Sequence, residues 1–412
     1  MSSLTSAPRS FRPLFSLPVI VAALGYFVDV YDLLLFNIVR VPSLKDLGLD
    51  EKQVSIVGGS VLNWQQAGLL LGGIFWGILG DKRGRLSVLF GSILTYSLAN
   101  IACGFVQDSQ VYALLRFAAG LGLAGELGAG ITLVSEILPK ELRGYGTSLV
   151  AGVGLLGAVV AYFTVVLFDW RTTYFIGGGL GLGLLLLRVS VFESGAFLAL
   201  KDQAVERGNF WSLFTNQRRL ITYLRCMGLA VPTYFVIGLL ATFSNEFGQA
   251  LGVIEPIVPG RAVMFTYIGM ATGDLFSGPL SQWLYSRRRA IGWLMTLNAV
   301  LVALYLFGGV TSPAVFYALC LGLGFSIGYI ALFLTVSAEH FGTNLRATAT
   351  TSIANNVRAT TLLTIPLFQA LKPSVGVIGA AAVVGGICFI LSFWALATVE
   401  ETYGKDLNYV ES

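Results

Sequence analysis

Histidine occurs once in this chain, cysteine four times, and charged residues fill only 12% of the 412 positions. One imidazole, with no recognisable catalytic cluster and no phosphate-binding loop, argues against an enzyme and gives no reason to expect a cofactor. Cys103, Cys226, Cys320 and Cys388 fall in or near the ends of apolar segments without paired metal-type spacing. They read as small free thiols in a core, not as a zinc site or a disulfide framework. The formal charge of +4 is modest, and no nucleic-acid footprint is visible in it.

What is present is apolar: 55% of residues are hydrophobic, Gly reaches 49, and mean hydropathy is +0.77. That describes a polytopic membrane protein. Lipid offers backbone groups no partners, so only helices or closed barrels cross it, and a helix needs about 20 apolar residues. Long unbroken runs select helices. Twelve are predicted, at roughly 18–40, 58–80, 86–106, 110–135, 146–168, 171–193, 219–247, 261–284, 290–309, 312–338, 346–370 and 374–399. Arg9 and Arg12 precede the first run, but it extends to about residue 40 and contains acids, so it reads as a retained helix and not a cleaved leader.

Twelve spans put both termini on one side. With that side cytoplasmic, sixteen Lys and Arg fall on inside loops and tails and six on outside loops and helix ends, the bias expected of that orientation. The longest polar connection lies halfway and divides the chain into a bundle at 1–193, a linker at 194–218 and a bundle with a short tail at 219–412. The halves repeat. "GLLLGGIFWG" (Gly68, Gly72, Gly77) and "GMATGDLFSG" (Gly269, Gly273, Gly278) share one glycine spacing at an offset of 201, and Glu136–Arg143 and Glu339–Arg346 share one at 203.

The turn after the second segment, "GILGDKRGRLS", resembles the G-x-x-x-D-x-x-G-R-[RK] loop of the major facilitator superfamily. Gly77, Asp81, Gly84 and Arg85 match it, and Leu86 departs at the last basic position. "RFAAGLGLAGELGAG" is similar to the family's fourth-helix R-x-x-x-G-x-G-x-G pattern, and "PKELRGYG" to the basic turn after it. "SQWLYSRRRA" is a degraded second copy of the loop, without its acid. The resemblance implies an all-α membrane protein of twelve transmembrane helices in two pseudo-symmetric six-helix bundles. Within the family, "DVYDLL", "GELGAG" and "FESGAF" look most like proton-coupled organic-acid and metabolite symporters and sugar porters. The last motif departs from the sugar-porter P-E-S-P-R pattern at both prolines and the arginine, and the central loop is too short for those proteins' helical insert.

Ionisable groups at mid-membrane cost about 2.5–3.5 kcal/mol each on insertion scales, so each is a functional candidate. Asp29 and Asp32 lie one turn apart in the first segment, and two carboxylates so close do not both ionise easily. The pair is a candidate proton site. The resemblance implies that Arg116 faces it, so that protonation would free the arginine; the competing reading is a static ion pair. Glu126 is a second proton site, a substrate ligand or a packing group. Arg358, flanked by Asn355 and Asn356, offers a planar fork suited to a carboxylate or phosphate, unless it neutralises Asp274 or Glu126. Tyr26, Gln65, Gln66, Tyr234, Asn298 and Tyr329 are candidate cavity liners. Asp81, Arg85, Glu136 and Arg143, with Glu339 and Arg346 in the second half, are expected to latch the halves together, and Gly80 and Gly84 to permit the tight turn. His340 reads as an ordinary loop-end residue.

The expected function is proton-coupled symport of a small organic anion by alternating access, in a monomer of a bacterial inner membrane. Partners are the solute, protons and the bilayer. An exporter using the same acids for antiport, and a cation or metal carrier using Asp29, Asp32 and Glu126 as oxygen ligands, stay open.

Overall fold

The computed structural model describes residues 11–139, 141–188, 210–405 and 409–410. "FESGAF" and most of the expected linker lie outside these. Among the described residues the regular structure is all helical, and it gathers into twelve rods. The first three are α1 (Leu17–Asp46), α2 (Glu51–Arg83) and α3 (Arg85–Gly104). α4 (Ser109–Ile137) is interrupted at Ala124 and Gly125, and α5 (Arg143–Leu167) at Leu156. α6 is Trp170–Arg188. α7 comprises Gln217–Leu229 and Val231–Ala241, bent by 42°, and continues as Ser244–Ala250. α8 is Pro259–Trp283, α9 Arg287–Phe307, and α10 Pro313–His340, interrupted at Gly328 and Tyr329. α11 starts as Arg346–Arg358 and resumes at Thr361; Gly376, at φ 73°, separates it from α12, which ends at Thr398.

Several helices outrun the apolar segments that announced them, because capping groups and not hydropathy set their ends. Asp50 and Gln53 form a reciprocal capping box at 2.8 and 3.1 Å, which starts α2 seven residues before its apolar run. Asp108, Asn216 and Ser286 cap α4, α7 and α9. The bend in α7 falls just before Pro232, which has no N–H to give, and is followed by a π turn at Val236–Ala241. Among the described residues, by length and apolar composition alone, seven helical stretches, or eight with the bent pair, qualify to cross a membrane. The stretch Arg346–Thr398 holds both α11 and α12, while α2, α6 and α8, rich in Gly, are not among those that qualify.

The repeated glycines have a shared cause. Gly68 and Gly72 of α2 press on the main chain of Phe117 and Leu121 in α4, and Gly120 of α4 presses back on the main chain of Gln65. In the second half Gly269 and Gly273 of α8 press on Leu321 and Phe325 of α10, and Gly324 returns the contact to Thr266. Lipid tails are as apolar as leucine, so helices in a bilayer associate by close van der Waals approach, which missing Cβ atoms allow. The outer faces are apolar in helical register: Trp293, Leu297, Val300 and Leu304 line one exposed stripe of α9, while Ile291, Met295, Asn298, Val302 and Tyr305 face inward. Such a surface suits acyl chains.

Replacing Gly68 or Gly269 with Leu would drive a side chain into a neighbouring main chain, and overpacking of this kind costs typically about 1–3 kcal/mol. Each variant is expected to melt earlier in a fluorescence thermal scan. Gly183→Ala, where nothing lies within 4 Å of the added Cβ, should melt with the wild type. A wild-type midpoint for both leucine variants would show that the helix pairs do not depend on this approach.

Candidate functional site

Arg116 of α4 is fully buried inside the first bundle. Its Nη1 donates to Asn100 Oδ1 at 2.8 Å, its Nε to Gln65 Oε1 at 3.4 Å and its Nη2 to the main-chain oxygen of Asp32 at 3.3 Å. The Tyr174 ring lies 5.5 Å from the guanidinium carbon, and Tyr174 shares a 2.7 Å hydroxyl contact with Tyr112. Asp32 is also buried, backed against Gly177 of α6, and neither carboxylate oxygen has a hydrogen-bond partner among the described residues. The expected proximity of acid and arginine is therefore present, with the arginine holding the acid's main chain. Asn100, Tyr112 and Tyr174 were not among the candidates; a lone Asn within the apolar α3 was the available signal.

Asp29, one turn earlier on α1, turns to a different neighbourhood. It acts electrostatically on Tyr26 of its own helix and, across the boundary between the bundles, on Arg358. Arg358 ends the first piece of α11, and its Nε donates to Tyr234 OH at 3.2 Å. The residue is half-buried, and its two terminal amino groups make no hydrogen bond with described residues. Tyr26, Tyr234 and Tyr267 surround it. Tyr267 was not anticipated, although it stands seven residues before Asp274 and so on the same face of α8.

Other candidates hold broken helices together. Asp274 is buried and its Oδ1 accepts from Ala331 N at 3.0 Å, in the first turn of the second piece of α10. Glu126 is the first residue of the second piece of α4 and accepts from Ser92 Oγ at 3.3 Å. Both acids stand at helix N-termini, where negative charge is favoured. Asn355 joins the bundles, its Nδ2 donating to Ala124 O at 3.0 Å and to Thr351 O at 2.9 Å. Asn356 bonds Tyr223 OH at 2.9 Å, Tyr329 OH bonds Leu229 O at 3.0 Å, and Asn298 bonds Ser326 Oγ at 2.8 Å. Gln65 belongs to the Arg116 cluster. Gln66 is exposed, on the face of α2 that carries Gly73 and Gly77 against α11. The acids do not converge: among the described residues no three His, Cys, Asp or Glu side chains are grouped to hold a metal ion.

At the end carrying the turn after α2, the bundles are joined. Gly84, at φ 101°, makes the turn, and Gly80 lets Ala347 approach. Buried Asp81 accepts from the main-chain N–H groups of Ala347 and Thr348, at 3.0 and 2.8 Å, so an acid of one bundle caps α11 of the other. Arg346 Nη1 meets Glu136 Oε1 at 2.7 Å with both side chains buried, again across the bundles. Glu339 pairs instead with Arg287 at 3.3 Å and accepts from Thr402 Oγ1 at 2.7 Å. Arg143 Nη1 donates to Lys405 O at 3.1 Å in the C-terminal tail. The side chain of Arg85 lies outside the described ones. Hydroxyl contacts Thr335–Thr147, at 2.9 Å, and Ser148–Ser277, at 3.3 Å, continue the seam. His340 bonds Val336 O at 2.8 Å. Glu401 anchors the tail: burial raises its carboxyl, but hydrogen bonds from Ser286 and from the main chain of Tyr403, Arg287 and Arg288 outweigh it and hold the group below its usual value.

Residues 22–363 match the model of the Major Facilitator Superfamily. The sialic acid transporter NanX of Escherichia coli is 26% identical over 358 residues, covering 84% of each chain. The niacin transporter NiaP of Acinetobacter baylyi is 25% identical over 366 residues, covering 79% of this chain and 80% of that one. Among solved structures, the proton:xylose symporter XylE superposes with a TM-score of 0.75 at 16% identity over 96% of this chain and 98% of its own, a likeness of fold.

Two outcomes are expected at the closed end. Glu136→Ala leaves Arg346 without its buried partner, a loss that typically costs about 3–5 kcal/mol, and should depress the unfolding midpoint far more than Lys82→Gln at an exposed site. Glu401, held low in the fold, contributes stability that is present above the usual glutamate pKa and disappears as pH falls through its folded value. The midpoint of the wild type should therefore drop more steeply below about pH 4.5 than that of Glu401→Gln; parallel profiles would remove this role.

Proposed function

Because the chain belongs to the Major Facilitator Superfamily, whose model spans residues 22–363, we propose that it is a proton-coupled symporter of a small organic anion. As a member of that family it is an integral membrane transporter and not an enzyme. In this reading the two six-helix bundles, divided at 194–218, alternate access to a site between them. The Lys and Arg bias supports a cytoplasmic side for the Asp81 end and both termini, in this reading within a bacterial inner membrane and with the chain working as a monomer. A closed Asp81 end then makes this the outward-facing state.

The observation that carries the reading is Arg358. A guanidinium whose terminal amino groups make no hydrogen bond with described residues, bonded to Tyr234 and within electrostatic reach of Tyr26 and Tyr267, is arranged to receive a carboxylate fork-to-fork. NanX and NiaP are named for solutes that carry a carboxylate, which supports the choice of an organic acid. Asp29 faces the same guanidinium, so its charge and the substrate's compete for one cation.

Asp32 is the proton site of this scheme. An ionised carboxylate is costly to bury, and its charge would draw Arg116 away from Asn100 and Gln65. Protonation removes both effects, so proton occupancy sets how α1 is held against α4.

Purified protein should be stabilised by nicotinate or sialic acid in a thermal-shift screen, more than by glucose or divalent metals. Losing a charge-assisted hydrogen bond is worth about 1.5–3 kcal/mol, so Arg358→Ala should weaken that binding about tenfold to a hundredfold. In proteoliposomes Asp32→Asn should lose accumulation driven by a pH gradient and keep solute exchange. Undiminished anion binding by Arg358→Ala, or wild-type accumulation by Asp32→Asn, would overturn the corresponding role. Stabilisation by a cation that disappears in Asp29→Ala would replace anion symport with cation transport.

A further inference from the structure

Beyond the transport site, the start of α7 and the C-terminal tail enclose a cavity of about 240 Å³. That is room for several waters, or for a phosphate with part of its hydration. Arg218, Arg219 and Lys405 line it with Thr222 and Tyr409, opposed among the described lining residues by the single carboxylate of Glu400. A second opening, of about 500 Å³, shares Arg218, Thr222 and Glu400 and adds Arg225. Residues 218, 222 and 225 follow helical spacing, so the two openings form one basic stripe along α7. The buried Nε of Arg225 has no hydrogen-bond partner among the described residues. The Lys405 ammonium is steered over the Tyr409 ring, 4.9 Å from its centre, with the phenol oxygen 3.5 Å away.

We propose that this cavity is a binding site for a phosphate-bearing anion, supplied by the headgroup of an acidic phospholipid. Among the described lining residues three cations face one carboxylate in a concave space, a balance that matches the charge of a phosphodiester. The lipid source is argued from what adjoins the cavity. Trp211, Phe214 and Leu224 are 72%, 37% and 49% exposed at the same end of α7, so an apolar surface for acyl chains runs directly beside the basic groups. Aromatic residues at this level are the usual neighbours of headgroups, and basic pockets between helices are the usual receptors of acidic ones. Lys405 forms one wall while its main-chain oxygen receives Arg143, so a bound headgroup would also brace the tail against the closed end.

The test uses the full chain in nanodiscs of phosphatidylcholine carrying a small fraction of fluorescent phosphatidylglycerol, with unlabelled phosphatidylglycerol or inorganic phosphate as competitors. Preferential binding of phosphatidylglycerol is expected, weakened about tenfold in Arg218→Gln/Arg219→Gln and less in Lys405→Gln, which keeps the main-chain contact to Arg143. Lys82→Gln should bind as wild type, and unfolding midpoints in lipid-free detergent should show that the variants fold. Competition by millimolar phosphate that responds to the same variants, without preference for phosphatidylglycerol, would overturn the lipid source and leave the phosphate chemistry standing. Equal binding of both lipids with no phosphate competition, or equal binding by folded variants, would overturn the site.

Discussion

A polar group that has left water must find its partner inside the protein, and in a membrane no later correction is available. Most of the unusual features of this chain answer that demand. α4 and α10 are broken in mid-course, and each break exposes helix N–H groups; at α10 Asp274 answers from a neighbouring helix, and at α4 the acid Glu126 stands in the first turn after the break. α11 begins at the seam between the bundles, and its first N–H groups are answered by Asp81 from the other bundle. Arg346 is neutralised by Glu136 across the same seam. Separating the bundles would therefore require either new partners or entry of water at that seam.

The internal repeat shows which of these answers are structural and which are specialised. Glycine contacts between α2 and α4 recur between α8 and α10, the breaks in α4 and α5 recur in α10 and α11, and Gly84 has its counterpart in Tyr285, which takes a positive φ of 49° without being glycine. The symmetry fails in the charges. Where the first half has Asp81, the second has Gln282 beside Gly144, and while Glu136 reaches across to Arg346, Glu339 stays with Arg287 in its own bundle. Packing was preserved in both halves, whereas the charged latch was kept mainly in one direction.

The fold was legible because apolar runs and repeated glycines are local patterns with a single physical reading. Residue-level roles were less so, for a specific reason. Asp29 and Asp32 are one turn apart and indistinguishable by spacing, yet one faces Arg358 and the other Arg116. Asn355 and Arg358 are also one turn apart, yet the first joins the bundles and the second faces open space. A difference of some 60° around a helix decides each case, and only the neighbouring rods define what lies in each direction. Asp274 shows the same limit: its depth was readable, its service to the N-terminus of another helix piece was not. The helix ends were readable in principle, since the Asp50–Gln53 box is a local signal that hydropathy alone passes over.

The first piece of α11 runs from Arg346 to Arg358, thirteen residues and so about 20 Å of stiff helix. One end is gripped by Asp81 and Glu136; the other presents a guanidinium to the space between the bundles. A rod of that length cannot be displaced at one end while the other stays fixed in direction. Its counterpart, Arg143 to Leu155, has the same length, one end at the tail and the other against Tyr26. The chain thus contains two rods of equal length, so that a displacement at one end of either would arrive at its other end as a change of angle.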